Sequence, residues 1–339
     1  MLSTTAAASA QETLHRVGRS SLDPQGFLHE VSAVVRRTVP HDVSGWMTLD
    51  PDTMLSSGTL VGKKPAELDR ALWRNELEQD DVHKLAELAR RAVPVAAVSE
   101  LDAATVADSP RIQQILRPAG IGDGLRVMLR SGGSTWGHGA IYRELGARDF
   151  DPVERAFLAS IADEIADGLR RSLSRRPEPG AAFLIPGVVA FDAQSRIVSA
   201  TAEAHRLMAL MPGDATSTLY SVAIGAGLRD RASARVRLAD GRWLLAQGGR
   251  MHGAPTAGEQ VTVTLMQAPR PAFTSLVLRL HALSARQREV AELLISGPRT
   301  DEIAARLHIS VNTLHDHVKA IFAKLGVQGR AELMALVSD

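Results

Sequence analysis

Helix-capping chemistry and helical periodicity agree at every boundary of the stretch from Ser284 to Asp339, and no other feature of the sequence constrains the fold as tightly. Ser284 with Gln287 three residues on forms a capping box: the hydroxyl takes a first-turn N–H and the amide reaches back to the cap. The helix it opens runs to Ser296 and is stopped by Gly297-Pro298. Thr300 caps a second, short helix ending near His308, with Asp301 and Glu302 set against its positive end. Ser310 caps a third helix that reaches Leu325 and stops at Gly326, and a fourth covers Arg330 to Val337.

In the third helix Val311, Leu314, Val318, Ile321 and Leu325 recur three and four residues apart, which makes them a buried stripe. Asn312, Asp316, Lys319 and Ala323 fall opposite it, with His315 at the edge. A short helix, a turn of about three residues and a longer helix is the helix-turn-helix plan, whose second helix enters the DNA major groove. Periodicity alone also describes the solvated face of an ordinary helical bundle.

The wording of the segment separates these two readings. Leu283-Ser-Ala-Arg-Gln-Arg-Glu-Val-Ala-Glu-Leu, Thr300-Asp-Glu-Ile-Ala-Ala-Arg-Leu, Ile309-Ser-Val-Asn-Thr, His317-Val-Lys-Ala-Ile-Phe-Ala-Lys-Leu-Gly-Val and Arg330-Ala-Glu-Leu closely resemble the LuxR-type helix-turn-helix family. The resemblance implies a transcription regulator acting on double-stranded DNA. In that family the residues after the Thr-Val pair of the recognition helix, and one four further on, approach base edges. Here they are His315, Asp316 and Lys319, beside Asn312 on the same face. The family usually has lysine where this chain has His315, and Asp316 is suited to accept from a cytosine amino group, which points to an unusual base preference. Thr300, Ser310, Thr313, Lys324 and Arg330 match positions that hold the phosphate backbone. Gly329 replaces the usual cap-type serine before the fourth helix, so one such contact is missing. The resemblance further implies a homodimer joined through the fourth helix by Leu333 and Leu336, and RNA polymerase as a further partner.

Charge sharpens the dimer expectation. From Ser284 onward the basic positions are 286, 288, 299, 306, 319, 324 and 330, and the acidic ones 289, 292, 301, 302, 316, 332 and 339, so the segment is neutral. Few phosphate neutralisers make a single copy a weak binder with a shallow salt dependence. Two copies double the contacts and read two half-sites of an inverted repeat.

Upstream, two proline-rich breaks divide the rest: Ser174 to Gly180 after a long helical pattern, and Gln267 to Pro271 after a strand-like one. The expected organisation is residues 1–174, a linker 175–180, residues 181–268, a linker helix 269–282, and residues 283–339. The first segment reads helix, strands, helices, strands, helix. Ala66 to Arg91 is expected to be helical, and Leu125 to Leu129 and Trp136 to Arg143 form a hairpin around Ser131 to Ser134. In its last helix, capped by Asp151-Pro152, Val153, Phe157, Ile161, Ile165, Leu169 and Leu173 recur every four residues. Against a helical turn that stripe drifts about 40° per step, so it winds round and serves two neighbours. One is its own domain and the other a partner subunit; the alternative is packing on its own sheet alone. The second segment places a strand pair around Asp192 to Ser195, a helix capped by Thr201, a helix from Thr218 to Arg229, and three strands with Asp240-Gly241 turning the first pair.

The first segment resembles a GAF domain in Leu125 to Leu129, Gly132-Gly133, Trp136-Gly137, Ile141 to Arg143 and the closing helix. The second resembles a PAS domain in Gly187-Val-Val-Ala-Phe-Asp and the helix from Thr201. These likenesses imply two α+β sensor domains ahead of an all-α four-helix DNA-binding domain, with a small-molecule effector of unknown identity.

Little supports other chemistry. There is no cysteine, hence no disulfide, thiol nucleophile or thiolate metal site. Asp80-Asp81-Val82-His83 lacks a second ligand cluster and reads as a solvated helix start. His138 reads as a strand histidine rather than a haem ligand, and Gly225-Ala-Gly227 lacks the third glycine and preceding strand of a nucleotide loop. His315 and His317, two apart, cannot share a metal on one helix face. No nucleophile, base and orienter form a set, so no catalytic residue, metal or cofactor is expected. No apolar run approaches the roughly 18 residues of a membrane helix, and the opening residues lack a charged start and apolar centre for export, so the expected location is the cytoplasm. A net charge of +1 decides nothing about partners, and 4% aromatic residues are few for a homoserine-lactone receptor. A ligand-processing enzyme with a structural helical tail is the rival class.

Overall fold

The computed structural model describes residues 2–62, 65–174, 184–251 and 260–337, and of residues 270–273 the backbone. It forms two compact units: Met1–Arg130 with Thr135–Gln267, and Ser131–Ser134 with Ala268–Asp339. The expected linker 175–180 lies outside the described residues.

The first unit is α+β with two antiparallel five-stranded sheets. Helices α1 (Thr4–Gly18) and α2 (Pro24–Thr38) precede β1 (Val43–Leu49) and β2 (Ser56–Val61). Then come α3 (Ala66–Glu78), α4 (Leu85–Leu88), β3 (Val95–Ala97), α5 (Ala103–Asp108), β4 (Ile121–Ser131), β5 (Ser134–Glu144) and α6 (Pro152–Leu173). The first sheet runs β2-β1-β5-β4-β3. The second sheet, β7-β6-β10-β9-β8, is built from β6 (Gly187–Phe191), β7 (Ile197–Ala200), β8 (Arg231–Arg237), β9 (Trp243–Met251) and β10 (Gln260–Gln267), with α7 (Ala202–Leu210) and α8 (Ala215–Arg229) between its strands in sequence.

A single apolar core joins the two sheets, running from Met47, Leu49 and Trp73 through Leu219, Val222 and Ala223 to Val236, Leu244 and Val263. Helix α8 makes this possible. It is buried from Ser217 to Ala226 on every side, and its small Ser, Thr, Ala and Gly residues let backbone approach. Its hydroxyls are spent on α3 and the first sheet: Ser217 Oγ accepts from Trp73 Nε1 of α3 at 2.8 Å and Ser221 Oγ from Ser56 N of β2 at 3.2 Å. The joint also buries charge. Arg235 grips Asp50 from both its backbone N and its guanidinium, at 2.6 to 2.9 Å, and reaches Asp52 at 2.6 Å.

Five expectations change here. The helix expected over Ala66 to Arg91 breaks after Glu78, and His83 sits in the left-handed region at φ 56°. Asp81 is no solvated helix start: its carboxylate accepts from Asn75 Nδ2, Ser109 Oγ and the backbone of Val82 and Arg111, which pins the loop. Helix α8 starts at Ala215 because Asp214 caps it through Thr216 N. Helix α6 does have two neighbours, and the second belongs to the same chain. Gln11 donates to Ser160 Oγ, His15 pairs with Glu164 at 2.7 Å, and Arg171 donates to the Gly18 carbonyl. Gly168 lets Phe27 approach so closely that an added Cβ would lie 2.4 Å from its ring. Val153, at the start of the expected stripe, is 57% exposed because it precedes the point where α1 and α2 cover the helix.

Candidate nucleic-acid interface

The second unit carries α9 (Arg270–Leu280), α10 (Ala285–Ser296), α11 (Thr300–Arg306), α12 (Val311–Leu325) and α13 (Arg330–Leu336). The capping box at Ser284 is present, with Gln287 N on Ser284 Oγ at 3.2 Å and Gln287 Oε1 accepting from Ser284 N at 3.0 Å. Gly297 and Gly326 end their helices at φ 111° and 65°, where a side chain would be strained. Leu283, Val290, Ala291, Ile303, Leu314, Ile321 and Leu333 are fully buried and close one core. That core holds α11 and α12 about the turn His308 to Ser310, with His308 at φ 52°.

Helix α12 shows its opposite face to solvent. Asn312, His315, Asp316 and Lys319 are all exposed, and among the described residues none of them enters a hydrogen bond or ion pair. Packing accounts for the rest: Leu314, Ile321 and Leu325 sink into the core and Val318 is half-buried. Val311 does not join them. It is 42% exposed, because the first turn of α12 projects beyond the core that its later turns cover. Periodicity missed this residue, since a three-four spacing says which face a side chain shares but not how far along the helix the neighbour extends.

The residues expected on phosphates sit unequally. Ser310 Oγ caps α12 through Thr313 N at 3.1 Å and bonds Thr313 Oγ1 at 2.9 Å, so both hydroxyls lie exposed at the helix N-terminus. Thr300 is exposed and is the first residue of α11, not its cap; Arg299 holds the cap position without a side-chain bond. Lys324 is exposed but bonded within the unit, donating to the Ala282 carbonyl at 3.0 Å and Gln287 Oε1 at 2.9 Å. Arg330 is half-buried and donates to the Pro298 carbonyl at 3.0 Å, tying α13 to the loop before α11. Of the seven basic side chains, Arg286, Arg288, Arg299, Lys324 and Arg330 are bonded within the unit. Arg306 and Lys319 alone are exposed and unpaired among the described residues.

Helix α13 also differs from expectation. Leu333 is completely buried in the unit's own core and Leu336 packs against it, because the side of α13 that carries them faces α10. The exposed side consists of Ala331, Glu332, Met334 and Ala335.

A core-supported short helix, turn and long helix whose outer polar face is unbonded define a helix-turn-helix domain. Residues 281–337 match the family described as bacterial regulatory proteins, luxR family. The spore germination protein GerE of Bacillus subtilis is 46% identical over 50 residues, 15% of this chain and 68% of that protein. The probable transcriptional regulatory protein NarL of Mycobacterium tuberculosis is 42% identical over 53 residues, and the transcriptional regulatory protein UhpA of Escherichia coli is 41% identical over 61. Those matches span 16 and 18% of this chain, and 24 and 31% of the two relatives. The chain belongs to the LuxR family of bacterial regulatory proteins through this domain. The structure of Escherichia coli SdiA aligns over 97% of this chain and 95% of its own at 13% identity, with a TM-score of 0.39 that is too low to transfer a fold.

Proposed function

We propose that the protein is a DNA-binding transcription regulator that works as a homodimer, with operator binding modulated by a signal sensed upstream. The observation that carries this reading is the outer face of α12. Four polar side chains, Asn312, His315, Asp316 and Lys319, project from a helix locked by its core and have no partner of their own within the described residues. In the major groove Lys319 and His315 suit guanine acceptors, Asn312 adenine and Asp316 the cytosine amino group. Val311 adds an apolar contact for a thymine methyl.

Backbone grip falls to Thr300, Ser310 and Thr313 with the N–H groups of the first turn of α12, while Lys324 and Arg330 act by holding the helices that present them. With Arg306 and Lys319 as the unpaired cations, one copy neutralises few phosphates. A pair joined over the exposed side of α13, around Met334, doubles that number and reads an inverted repeat. The two upstream sheets are read as GAF-like and PAS-like sensor elements, in keeping with their α+β order.

Fluorescence anisotropy against randomised duplexes, wild type beside Lys319→Ala, tests the reading. The wild type is expected to bind at low salt and the variant to lose about 1 to 3 kcal/mol. Equal binding by both, or none by either, contradicts it.

A further inference from the structure

Gly137 of β5 faces Leu169 of α6, so strand alternation turns His138, Ala140 and Tyr142 to the other face of the first sheet. There, under α3, lies a cavity of about 100 Å³ open at its mouth. Its apolar wall includes Met47, Leu72, Trp73 and Ala140. Its polar wall holds two arginines that are more than nine-tenths buried, Arg111 at 7% and Arg126 at 8% exposure.

These arginines are short of acceptors. Both lean on one oxygen of one carboxylate, Glu76 Oε2, at 3.2 and 3.3 Å, longer than the roughly 2.7 to 2.9 Å of a good charge-assisted bond. The other oxygen of Glu76 is taken by Leu85 N at 2.6 Å. Arg126 Nη1 turns to the His83 carbonyl, and Arg111 Nη1 is buried without a hydrogen-bond partner among the described residues. Arg111 also opens a helical turn widened to an i→i+5 bond, Arg117 N to Ile112 O at 2.9 Å, a geometry enriched at functional sites. Burial, then the charges of Arg126, Arg91 and Arg111, push His83 down to about 4, so it is neutral at pH 7 and does not offset the arginines. Asp69 lies on the same face of α3 two turns from Glu76 and is already bonded by Ser217 Oγ. With Asp69 the wall is formally neutral, but the two guanidiniums share the single carboxylate of Glu76 and Arg111 Nη1 keeps donor capacity for one more acceptor.

We infer that this cavity binds a small organic monocarboxylate, its carboxylate facing Arg111 and Arg126 and its apolar body against Leu72, Trp73 and Ala140. A planar carboxylate supplies the two acceptors that a guanidinium fork requires, and the apolar wall disfavours a fully hydrated inorganic anion. As the signal of the proposed regulator the ligand rests on that reading; as a binding site it rests on the cavity alone.

The test is calorimetric titration of the full chain, without DNA, with butyrate, benzoate and phenylacetate and with the amide of each. At least one carboxylate is expected to bind saturably at millimolar concentration or below, and its neutral amide roughly tenfold or more weaker. Arg111→Gln is expected to weaken the carboxylate by a similar factor. Ala140→Leu, which keeps both arginines and fills the cavity, is expected to abolish binding, so the inference stays testable if Arg111→Gln fails to fold. Binding of none of the three carboxylates, equal binding of acid and amide, or wild-type binding by Ala140→Leu overturns it. Because the heat is read without DNA, failure of the regulator reading leaves a positive result standing.

Discussion

The two units use their cations in opposite ways. In the first, Arg111, Arg126, Arg143 and Arg235 are all at most 8% exposed and pair with buried carboxylates; Glu76 and Glu154 each keep a second arginine if one is removed, whereas Asp50 loses its only guanidinium among the described residues with Arg235. In the second, the cation central to the proposed activity, Lys319, is exposed and does nothing for the fold. Charge substitutions upstream should therefore be read in stability, and those on α12 in DNA binding.

The largest expected effect is at the joint between the sheets. Arg235→Ala strands Asp50, which is 2% exposed, and is expected to cost about 3 to 5 kcal/mol in urea unfolding. A loss near that of a surface pair, under about 1 kcal/mol, would show that the two sheets are not latched by this pair.

Next is Glu154. Burial pushes its carboxyl up, but hydrogen bonds from Arg148 and Arg143 outweigh burial and hold it down at about 2. A carboxylate held low in the folded state adds stability that is fully present above its unfolded value near 4.3 and lost as pH falls toward 2. Glu154→Gln is therefore expected to cost about 3 kcal/mol at neutral pH, with the gap to wild type closing across that acid window. A gap independent of pH would contradict the assignment.

The smallest effect is expected at the exposed Val311 of α12. Leu314→Ala should destabilise the second unit by roughly 2 to 5 kcal/mol, whereas Val311→Ala, at an exposed site, should cost under about 0.5 kcal/mol. Thermal melts of the two variants measure the contrast. Equal losses would place Val311 back in the core.

These contrasts also show what the sequence made legible. Caps are local chemistry, so Ser284, Ser310, Asp151 and Thr201 mark their helices correctly, each with the expected bond in place. Asp23-Pro24 carries the same signature as Asp151-Pro152, and it does cap α2, with Gly26 N on Asp23 Oδ1 at 2.7 Å. What local chemistry cannot show is which distant element covers a face. The second neighbour of α6 is α1 with α2, Leu333 serves its own core, and Lys324 is held by Ala282 and Gln287; each depends on contacts made far along the chain. The outer face of α12 was readable because its side chains need no partner. The cavity at Arg111 and Arg126 was not, because its walls come from β1, α3, α4, β4, β5 and the turn at Arg111.

The central claim is that α12 reads DNA and that two copies are needed to hold it. Sedimentation of the full chain on a duplex selected by the wild type measures this directly. Two chains per duplex at saturation, on a sequence with inverted-repeat symmetry, is the predicted result. A single chain per duplex at saturating binding would contradict the account.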